Sequence, residues 1–261
     1  MCFRRIGIIG LGLIGGSIAK AVKAKDKTVE IAACDTNRST LEKALSTHTI
    51  DRFFATSGEL AAWAELIVIA TPLSELCSVA QNLASLSLQH PLTVLDISSV
   101  KAKVIPVLEK LSNPQIEFVS THPMAGKETL GFDSSSATLF EGAPWIITAH
   151  RNNREKTLSN VERCIETLNA KSLRLSPEKH DEQVALISHL PLLISQALQT
   201  FVKQVDPKAL EIAGTGFESM TRLAKTPPQL AHELTKNNQE ILTKYWNRWI
   251  EFLQKDFYGT T

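Results

Sequence analysis

The sequence predicts an α/β protein, with an N-terminal doubly wound parallel sheet followed by an all-α C-terminal region. Two observations predict the sheet. Apolar strand-like runs alternate with helical patterns up to about residue 150, and the first run leads through a glycine-rich turn into a helix at residues 6–17. A third observation predicts the helical region, because nearly every segment beyond Ser176 has the apolar spacing of a helix.

The elements of the sheet region follow from this alternation. Predicted strands cover residues 4–9, 29–34, 66–70, 93–97, 117–120 and 145–149. Predicted helices cover residues 16–25, 39–46, 73–84 and 104–111. We therefore expect one domain over residues 1–150, closed by a helix and strand at 151–175, and a helical substrate and dimerisation domain at 176–261. Ligands of such sheets bind beyond the carboxyl ends of the strands.

The glycine-rich turn has the form Gly-x-Gly-x-x-Gly, from Gly10 through Gly12 to Gly15. Gly10 allows a tight turn, Gly12 lets the backbone approach a pyrophosphate, and Gly15 lets the helix pack close to the strand. The helix predicted to follow the turn offers free N–H groups to phosphates, and we place Leu13 and Ile14 of the turn with the cofactor-binding residues. The turn indicates a Rossmann-type dinucleotide site, although FAD and S-adenosylmethionine proteins use similar turns.

Asp35 ends the second predicted strand, 20 positions after Gly15. An acid at this place hydrogen-bonds a ribose 2′-hydroxyl, and its charge repels a 2′-phosphate. Asp35 therefore favours NAD over NADP. Arg38 favours NADP instead, because an arginine just past this strand can hold the 2′-phosphate of NADP.

Three further polar segments follow predicted strands. They are Thr71-Pro72, the segment from Asp96 to Lys101, and Thr121-His122-Pro123. We expect them to meet at one sheet edge, with Thr71, Pro72 and Asp96 near the cofactor. His122 is the candidate proton acceptor for an alcohol that loses hydride, beside Ser99 and Lys101. The alternative is a loop histidine with a structural hydrogen bond.

The helical region offers two more candidates. Residues 184–205 are apolar on more than one face, which indicates burial in a core or a subunit interface. His189 lies in this segment, and Pro191 close after it is expected to kink the helix. Arg222 follows a glycine break and can clamp a carboxylate. Local features leave both residues open between a structural and a functional role.

Composition excludes several classes of protein. With 28 basic and 27 acidic residues, the chain gives no sign of a polyanion partner such as nucleic acid. We expect no membrane span, because no apolar segment approaches about 20 residues. The N-terminal apolar run resembles a secretory signal, but glycines break it and the four cysteines form no framework pattern. We expect a cytoplasmic protein with neither metal nor disulfide.

Taken together, these motifs resemble the prephenate/arogenate dehydrogenase family of tyrosine biosynthesis. The resemblance covers nearly the whole chain. It is carried by the glycine turn, Asp96 to Lys101, His122-Pro-Met-Ala-Gly-Lys-Glu128, Leu139-Phe-Glu-Gly142, Trp145, His180-Asp181, Ser188-His-Leu-Pro191 and Thr221-Arg222. The His-Pro-Met-Ala-Gly and Ser-His-Leu-Pro elements are specific, whereas the glycine turn is not.

The resemblance implies a homodimer that oxidises a cyclohexadienol and decarboxylates it. His122 matches the catalytic histidine, and Ser99 matches the serine that holds the same hydroxyl. Arg222 matches the arginine that binds a substrate carboxylate, while His189 and Glu128 match residues that line the substrate pocket. We place Lys101 with the substrate-binding residues. No chorismate mutase or ACT-type region is recognisable, so we expect a monofunctional enzyme.

The chain departs from the family pattern at two places. Leu192 stands where many members have a second histidine, and Glu218-Ser219 stand where many have Arg and Asp. An added acid and a lost cation favour the ammonium of arogenate over the keto acid of prephenate. A protein of the same domain plan could also be a β-hydroxyacid dehydrogenase, an imine reductase or a non-catalytic nicotinamide sensor.

Overall fold

The computed structural model describes residues 2–257, which fall into two compact units divided between Pro177 and Glu178. The N-terminal unit contains the strands β1 (Arg5–Ile9), β2 (Glu30–Cys34), β3 (Arg52–Phe53), β4 (Leu66–Ile69), β5 (Leu92–Asp96), β6 (Ile116–Pro123), β7 (Pro144–Thr148) and β8 (Lys171–Arg174). They form one sheet in the order β3-β2-β1-β4-β5-β6-β7-β8. The predicted α/β class with a helical C-terminal region is confirmed.

Helices cover both faces of this sheet. They are α1 (Leu13–Lys25), α2 (Arg38–Ser46), α3 (Ser57–Trp63), α4 (Leu73–Ala84), α5 (Ile105–Leu108) and α6 (Glu155–Thr167). Residues from α1, α2 and α6 pack in one apolar core, and residues from α3, α4 and α5 pack in another. β4 sends alternate side chains into the two cores, and all four of its residues are buried. This is why β4 reads as a continuous apolar run.

The sheet departs from the sequence prediction in three places. β7 runs antiparallel to β6, whereas the other neighbouring strands pair in parallel. The antiparallel pairing extends β6 to Pro123, three residues beyond the predicted end. β3 and α3 were not predicted, since a two-residue strand has no periodicity, and α5 spans only Ile105–Leu108.

The C-terminal unit is helical. α7 (Pro177–Val184) continues through a π turn (Ala185–His189) into α8 (Leu190–Val205). After a 3-10 turn at Pro207–Ile212 come α9 (Thr215–Met220), a second 3-10 turn (Arg222–Lys225), α10 (Pro228–Asn237) and α11 (Gln239–Phe252). Three of the breaks coincide with Pro207, Gly214 and Pro227-Pro228, whereas α10 and α11 are separated at Asn238.

The continuous helix Pro177–Val205 contradicts one expectation. At 29 residues it is long and apolar enough to cross a membrane, by length and composition only. The expectation that no apolar segment approaches this length was therefore wrong. The same property is found in core helices of soluble proteins, so the helix by itself does not indicate a membrane protein.

Candidate active site

The register of the sheet aligns the ends of β2, β1, β4 and β5 in one row with Ser120, which lies three residues before the end of β6. Ile9 pairs with Cys34 on one side and with Ile69 on the other, Ile69 pairs with Asp96, and Asp96 pairs with Ser120. Each of these strands runs in the same direction, so the segments that follow them emerge at the same edge. Most of the predicted site residues of this unit lie in those segments, whereas Asp96 ends β5 and His122 belongs to β6 itself.

The glycine turn follows β1 in this row. Gly10 has a φ of +93°, and a Cβ there would stand 2.8 Å from the Ala70 carbonyl oxygen. A Cβ on Gly15 would stand 2.0 Å from the Gly10 carbonyl oxygen, so no larger residue fits the helix against the turn. A Cβ on Gly12 would meet nothing within 4 Å. The turn is thus tightly packed at Gly10 and Gly15 and leaves open space at Gly12.

The N-terminus of α1 opens onto this space. The helix begins at Leu13, followed by Ile14, and neither a side-chain cap nor an acidic residue occupies its first turn. Its first N–H groups and the positive end of its dipole therefore remain suited to a phosphate.

Asp35 directly follows β2 and binds the glycine turn. Its carboxylate accepts hydrogen bonds from the backbone N–H of Leu11 at 2.6 Å and of Asn37 at 2.7 Å. The acid thereby lies beside the turn, where the sequence predicts the ribose contact. Arg38 begins α2, with its side chain 70% exposed and 2.8 Å from Glu42, so its guanidinium reaches solvent at the same edge.

Thr71 and Pro72 link β4 to α4. The Thr71 hydroxyl oxygen is buried and has no hydrogen-bond partner among residues 2–257. Pro72 is exposed and forms the N-cap of α4 without a side-chain hydrogen bond. A buried hydroxyl without a partner is uncommon, and it indicates a position where a ligand completes the bonding.

Asp96 and Lys101 form a closed ion pair beneath the row. Lys101 is fully buried, and its ammonium donates to the Asp96 carboxylate at 2.9 Å, the Thr121 carbonyl at 2.6 Å and the Ser98 hydroxyl at 3.1 Å. The Asp96 carboxylate also accepts from the Ser98 N–H at 2.8 Å and from the Ser120 hydroxyl. The Lys101 ammonium, which the sequence assigned to the substrate, therefore forms hydrogen bonds within the protein. The same holds for the Asp96 carboxylate, which the sequence assigned to the cofactor.

Ser99 and His122 lie at the neighbouring strand ends. Ser99 is half-buried in the segment after β5, next to the Asp96–Lys101 pair. His122 is half-buried and belongs to β6 itself, where it pairs with Ile146 of β7. The sequence placed it in a loop after the strand, which is wrong because the antiparallel ladder continues past it. The ladder holds the His122 backbone more firmly than a loop does.

Glu128 lies in the segment that connects the end of β6 with the start of β7, and it is half-buried there. This segment begins just past His122, so the stretch that contains Glu128 leaves the sheet at the same edge. The assignment of Glu128 to a substrate pocket stays a prediction.

In the helical unit, His189 is fully buried at the end of the π turn. Its Nδ1 lies 3.5 Å from the side-chain nitrogen of Asn238, and its Nε2 has no hydrogen-bond partner among the described residues. Burial lowers the pKa of His189 to about 4, an effect that Asp181 opposes and His180 reinforces. His189 is therefore neutral near pH 7 and presents one buried, uncommitted ring nitrogen.

Arg222 is exposed and begins the 3-10 turn Arg222–Lys225. Glu218 and Ser219 are exposed on α9 just before it, whereas Leu192 is 3% exposed in α8. The substitutions at 218 and 219 thus change the charge of the segment that carries Arg222, and Leu192 extends the apolar surroundings of α8.

Two features of the helical unit had no signal in the local sequence. Asn238 reaches His189 across 49 positions of the chain. A mostly apolar groove of about 740 Å³ is lined by Leu193, Gln196, Ala197, Thr200, His232, Thr235, Lys236, Gln239, Leu242, Thr243 and Trp246. It contains none of the predicted site residues. Over residues 2–257 no group of three His, Cys, Asp or Glu side chains is arranged to hold a metal ion.

Comparison with known proteins identifies this arrangement. The family model for the nucleotide-binding domain of prephenate dehydrogenase matches residues 18–174, and that for the dimerization domain of prephenate dehydrogenase matches residues 176–256. The chain belongs to the prephenate dehydrogenase family. It is an oxidoreductase that uses a nicotinamide cofactor and acts on a cyclohexadienol of the prephenate or arogenate type.

Individual relatives extend the family match. Prephenate dehydrogenase of Bacillus subtilis is 29% identical over 251 residues, which are 95% of this chain and 68% of the relative. Prephenate dehydrogenase of A. aeolicus, crystallised with hydroxyphenyl propionate and NAD+, has a TM-score of 0.88 and 28% identity over 96% of this chain and 88% of its own. Synechocystis arogenate dehydrogenase has a TM-score of 0.81 and 28% identity over 96% and 90%. Relatives at nearly equal identity thus carry both substrate names.

Proposed function

We propose that this enzyme converts arogenate to tyrosine with NAD as the hydride acceptor, and that prephenate is the alternative substrate. The observation that carries the proposal is the row of strand ends. It brings the glycine turn, Asp35 and the segments of Ser99 and His122 to one edge of the sheet. A dinucleotide turn and a candidate proton acceptor at the same edge support hydride removal from an alcohol.

The residues of the turn fit a dinucleotide. The space above Gly12 admits a pyrophosphate, the uncapped start of α1 at Leu13 and Ile14 supplies N–H groups, and the Thr71 hydroxyl lacks a protein partner among the described residues. We assign Pro72 to the same wall of the site. Asp35 favours NAD, because its carboxylate beside the turn repels a 2′-phosphate. Arg38 is the residue that would accommodate NADP.

His122 and Ser99 carry the proton chemistry in this proposal. Ser99 hydrogen-bonds the hydroxyl on C4 of the ring, and His122 takes its proton. A nicotinamide held at the glycine turn would supply the acceptor for the hydride that leaves C4. The bond from C1 to the ring carboxylate then breaks, carbon dioxide leaves, and its electron pair makes the ring aromatic. His122 returns the proton to the phenolate oxygen, so the step needs no other acid and no metal.

Arg222, His189 and Glu128 are our candidates for holding the substrate. Arg222 pairs with a carboxylate, for which its planar guanidinium is suited. His189 offers its buried Nε2. For Lys101 and Asp96 we replace the expected ligand contacts by a positioning role. Their buried pair ties Ser98 to Ser120 and Thr121, and so holds the segment of Ser99 beside β6.

Glu218 and Leu192 favour arogenate over prephenate. The two substrates differ only in the side chain, which ends in an amino acid in arogenate and in a keto acid in prephenate. Glu218 replaces a cation of the usual pattern by an acid, and this favours an ammonium group. An imidazole at position 192 would offer a further donor to the keto acid, and leucine offers none.

The experiment is a comparison of initial rates for four pairs, arogenate or prephenate with NAD or NADP, followed by nicotinamide absorbance. We expect the highest kcat/KM with arogenate and NAD. A clear preference for prephenate would overturn the substrate assignment, and a preference for NADP would overturn the role of Asp35. Absence of turnover with all four pairs would overturn the proposed function.

We further propose a cytoplasmic homodimer through residues 176–261, without nucleic acid or membrane partners. Its support is the matched dimerization model and the exposed apolar residues of the helical unit. Ile187, Phe201 and Val205 are all more than 60% exposed on Pro177–Val205, and the apolar groove lies between α8, α10 and α11. A second copy would bury this surface.

Ala197→Glu tests the dimer, because Ala197 is an exposed residue of the groove and the added charge opposes burial. Gln81→Glu is the matched control, since it adds the same charge at an exposed position of α4, in the sheet unit and outside the proposed dimer surface. Sedimentation should show a dimer for the wild type and the control, and a weakened dimer for Ala197→Glu. A wild type that sediments as a monomer contradicts the proposal.

A further inference from the structure

The helical unit contains a buried polar cluster that the mechanism above uses only in part. It consists of His180, Asp181, His189 and Asn238, each at most 5% exposed. His180 lies 2.7 Å from the Asp181 carboxylate through its Nδ1. Asn238 joins this pair to His189, although it comes from the junction of α10 and α11, far along the chain.

The backbone of Asp181 determines how the Asn238 amide is turned. The Asn238 nitrogen donates to the Asp181 carbonyl oxygen at 2.9 Å, and a carbonyl oxygen can only accept. The amide nitrogen, and not its oxygen, therefore faces this group. The same nitrogen lies 3.5 Å from His189 Nδ1, so its second hydrogen is directed to the ring.

This arrangement selects one tautomer of His189. A donor opposite Nδ1 disfavours a proton on Nδ1, because two N–H groups would then face each other. The proton of the neutral ring must lie on Nε2, the buried nitrogen without a partner among residues 2–257. The low pKa of His189, about 4 because of burial, keeps the ring neutral.

We propose that Asn238 is a positioning residue, which holds His189 as the tautomer with its proton on Nε2 so that this N–H binds an oxygen of the substrate. The inference rests on the proposed function and deepens it. A neutral, oriented donor suits a carboxylate or carbonyl oxygen of the side chain. The donor costs less to leave buried in the free enzyme than an imidazolium would.

The kinetic test is a double-mutant cycle between positions 238 and 189. Asn238→Ala should raise KM roughly 2- to 10-fold with kcat nearly unchanged, the size expected for one hydrogen bond. His189→Gln places an amide donor near the Nε2 position without a tautomer to select. In this background Asn238→Ala should change KM by less than about 2-fold. Equal effects in both backgrounds would show a merely structural role and overturn the proposal.

The direct test is nitrogen NMR of protein labelled at its seven histidines, with His189 assigned by the signal lost in His189→Gln. We expect the proton on Nε2 in the wild type. In Asn238→Ala, which removes the donor opposite Nδ1, we expect a measurable fraction of the His189 rings to carry the proton on Nδ1. A wild-type proton on Nδ1 overturns the proposal. The NMR measurement needs no turnover, so inactivity with the expected tautomer would count against the proposed function alone.

Discussion

Two buried polar clusters, one in each unit of the molecule, differ in how completely their polar groups are paired. In the sheet unit, the Lys101 ammonium and the Asp96 carboxylate are enclosed by partners from β5, β6 and the segment between them. In the helical unit, His189 is equally buried but keeps one ring nitrogen unpaired among the described residues. A completed network serves the scaffold, whereas an incomplete one marks a place where a ligand supplies the missing partner.

Within the sheet unit, the buried ion pair is distinct from the residues assigned to the reaction. The charged pair is buried, and the residues assigned to the reaction, Ser99 and His122, are half-buried at the edge above it. We therefore expect substitutions in the pair to affect stability first, and substitutions at the edge to affect turnover first.

His122→Ala is expected to have the largest effect. Loss of the proton acceptor should lower kcat by roughly 10²- to 10⁴-fold, because general base catalysis contributes about that much. Cofactor affinity, measured by fluorescence titration with NAD, should change little. His90→Ala is the control, since His90 is also half-buried but precedes β5 and so lies away from the row of strand ends. Turnover that survives His122→Ala would remove His122 from the mechanism, and a wild type that binds NAD without turnover would favour a nicotinamide sensor.

Lys101→Met tests whether the closed pair is scaffold. The variant leaves the Asp96 carboxylate buried without its cation, which should lower the free energy of unfolding by about 3–5 kcal/mol. Lys110→Met, at an exposed position, should change it by less than about 0.5 kcal/mol. Denaturant unfolding gives both values. A stable Lys101→Met enzyme with a raised KM would restore the direct substrate contact that the sequence predicted.

The pH dependence of stability tests the incomplete network. The pKa of His189 is lowered from 6.5 to about 4 on folding, so the unfolded chain binds this proton more readily. The contribution of this pKa shift to the free energy of unfolding is fully present above pH 6.5 and is lost as pH falls toward 4. Relative to His189→Gln, the wild type should lose up to about 3 kcal/mol of unfolding free energy across this window. Parallel pH curves for the two proteins would show that His189 does not titrate as its burial requires.

Local signals in the sequence were enough for most of the sheet unit. The apolar run, the glycines at 10, 12 and 15, and Asp35 follow one another closely along the chain, and each has a geometric reason that holds for any chain with this turn. β3 was not predicted because a strand of two residues shows no periodicity. The end of β6 was not predicted because its last residues pair with β7, and no local sequence pattern indicates the direction of β7.

The site was predictable only where function and local chemistry coincide. His122, Ser99, His189 and Arg222 came from residue type and the family pattern. Asp96 and Lys101 were assigned to ligands because of their place at the edge of the sheet where ligands bind. In the structure, Ser98 and two residues of the next strand enclose them instead. Asn238 could not be found, since 49 residues separate it from His189 and only the folded helices bring them together.

The π turn at Ala185–His189 has a consequence for how the chain can vary in length. The widened turn accommodates one residue more than a regular α-helical turn, and α7 and α8 continue on either side of it. Deleting one residue there would leave a single regular helix in which α8 keeps nearly the same orientation relative to α7. The same deletion within α7 or α8 would instead rotate every residue beyond it by about 100°. A change in length by one residue should therefore be tolerated better in this turn than elsewhere in Pro177–Val205.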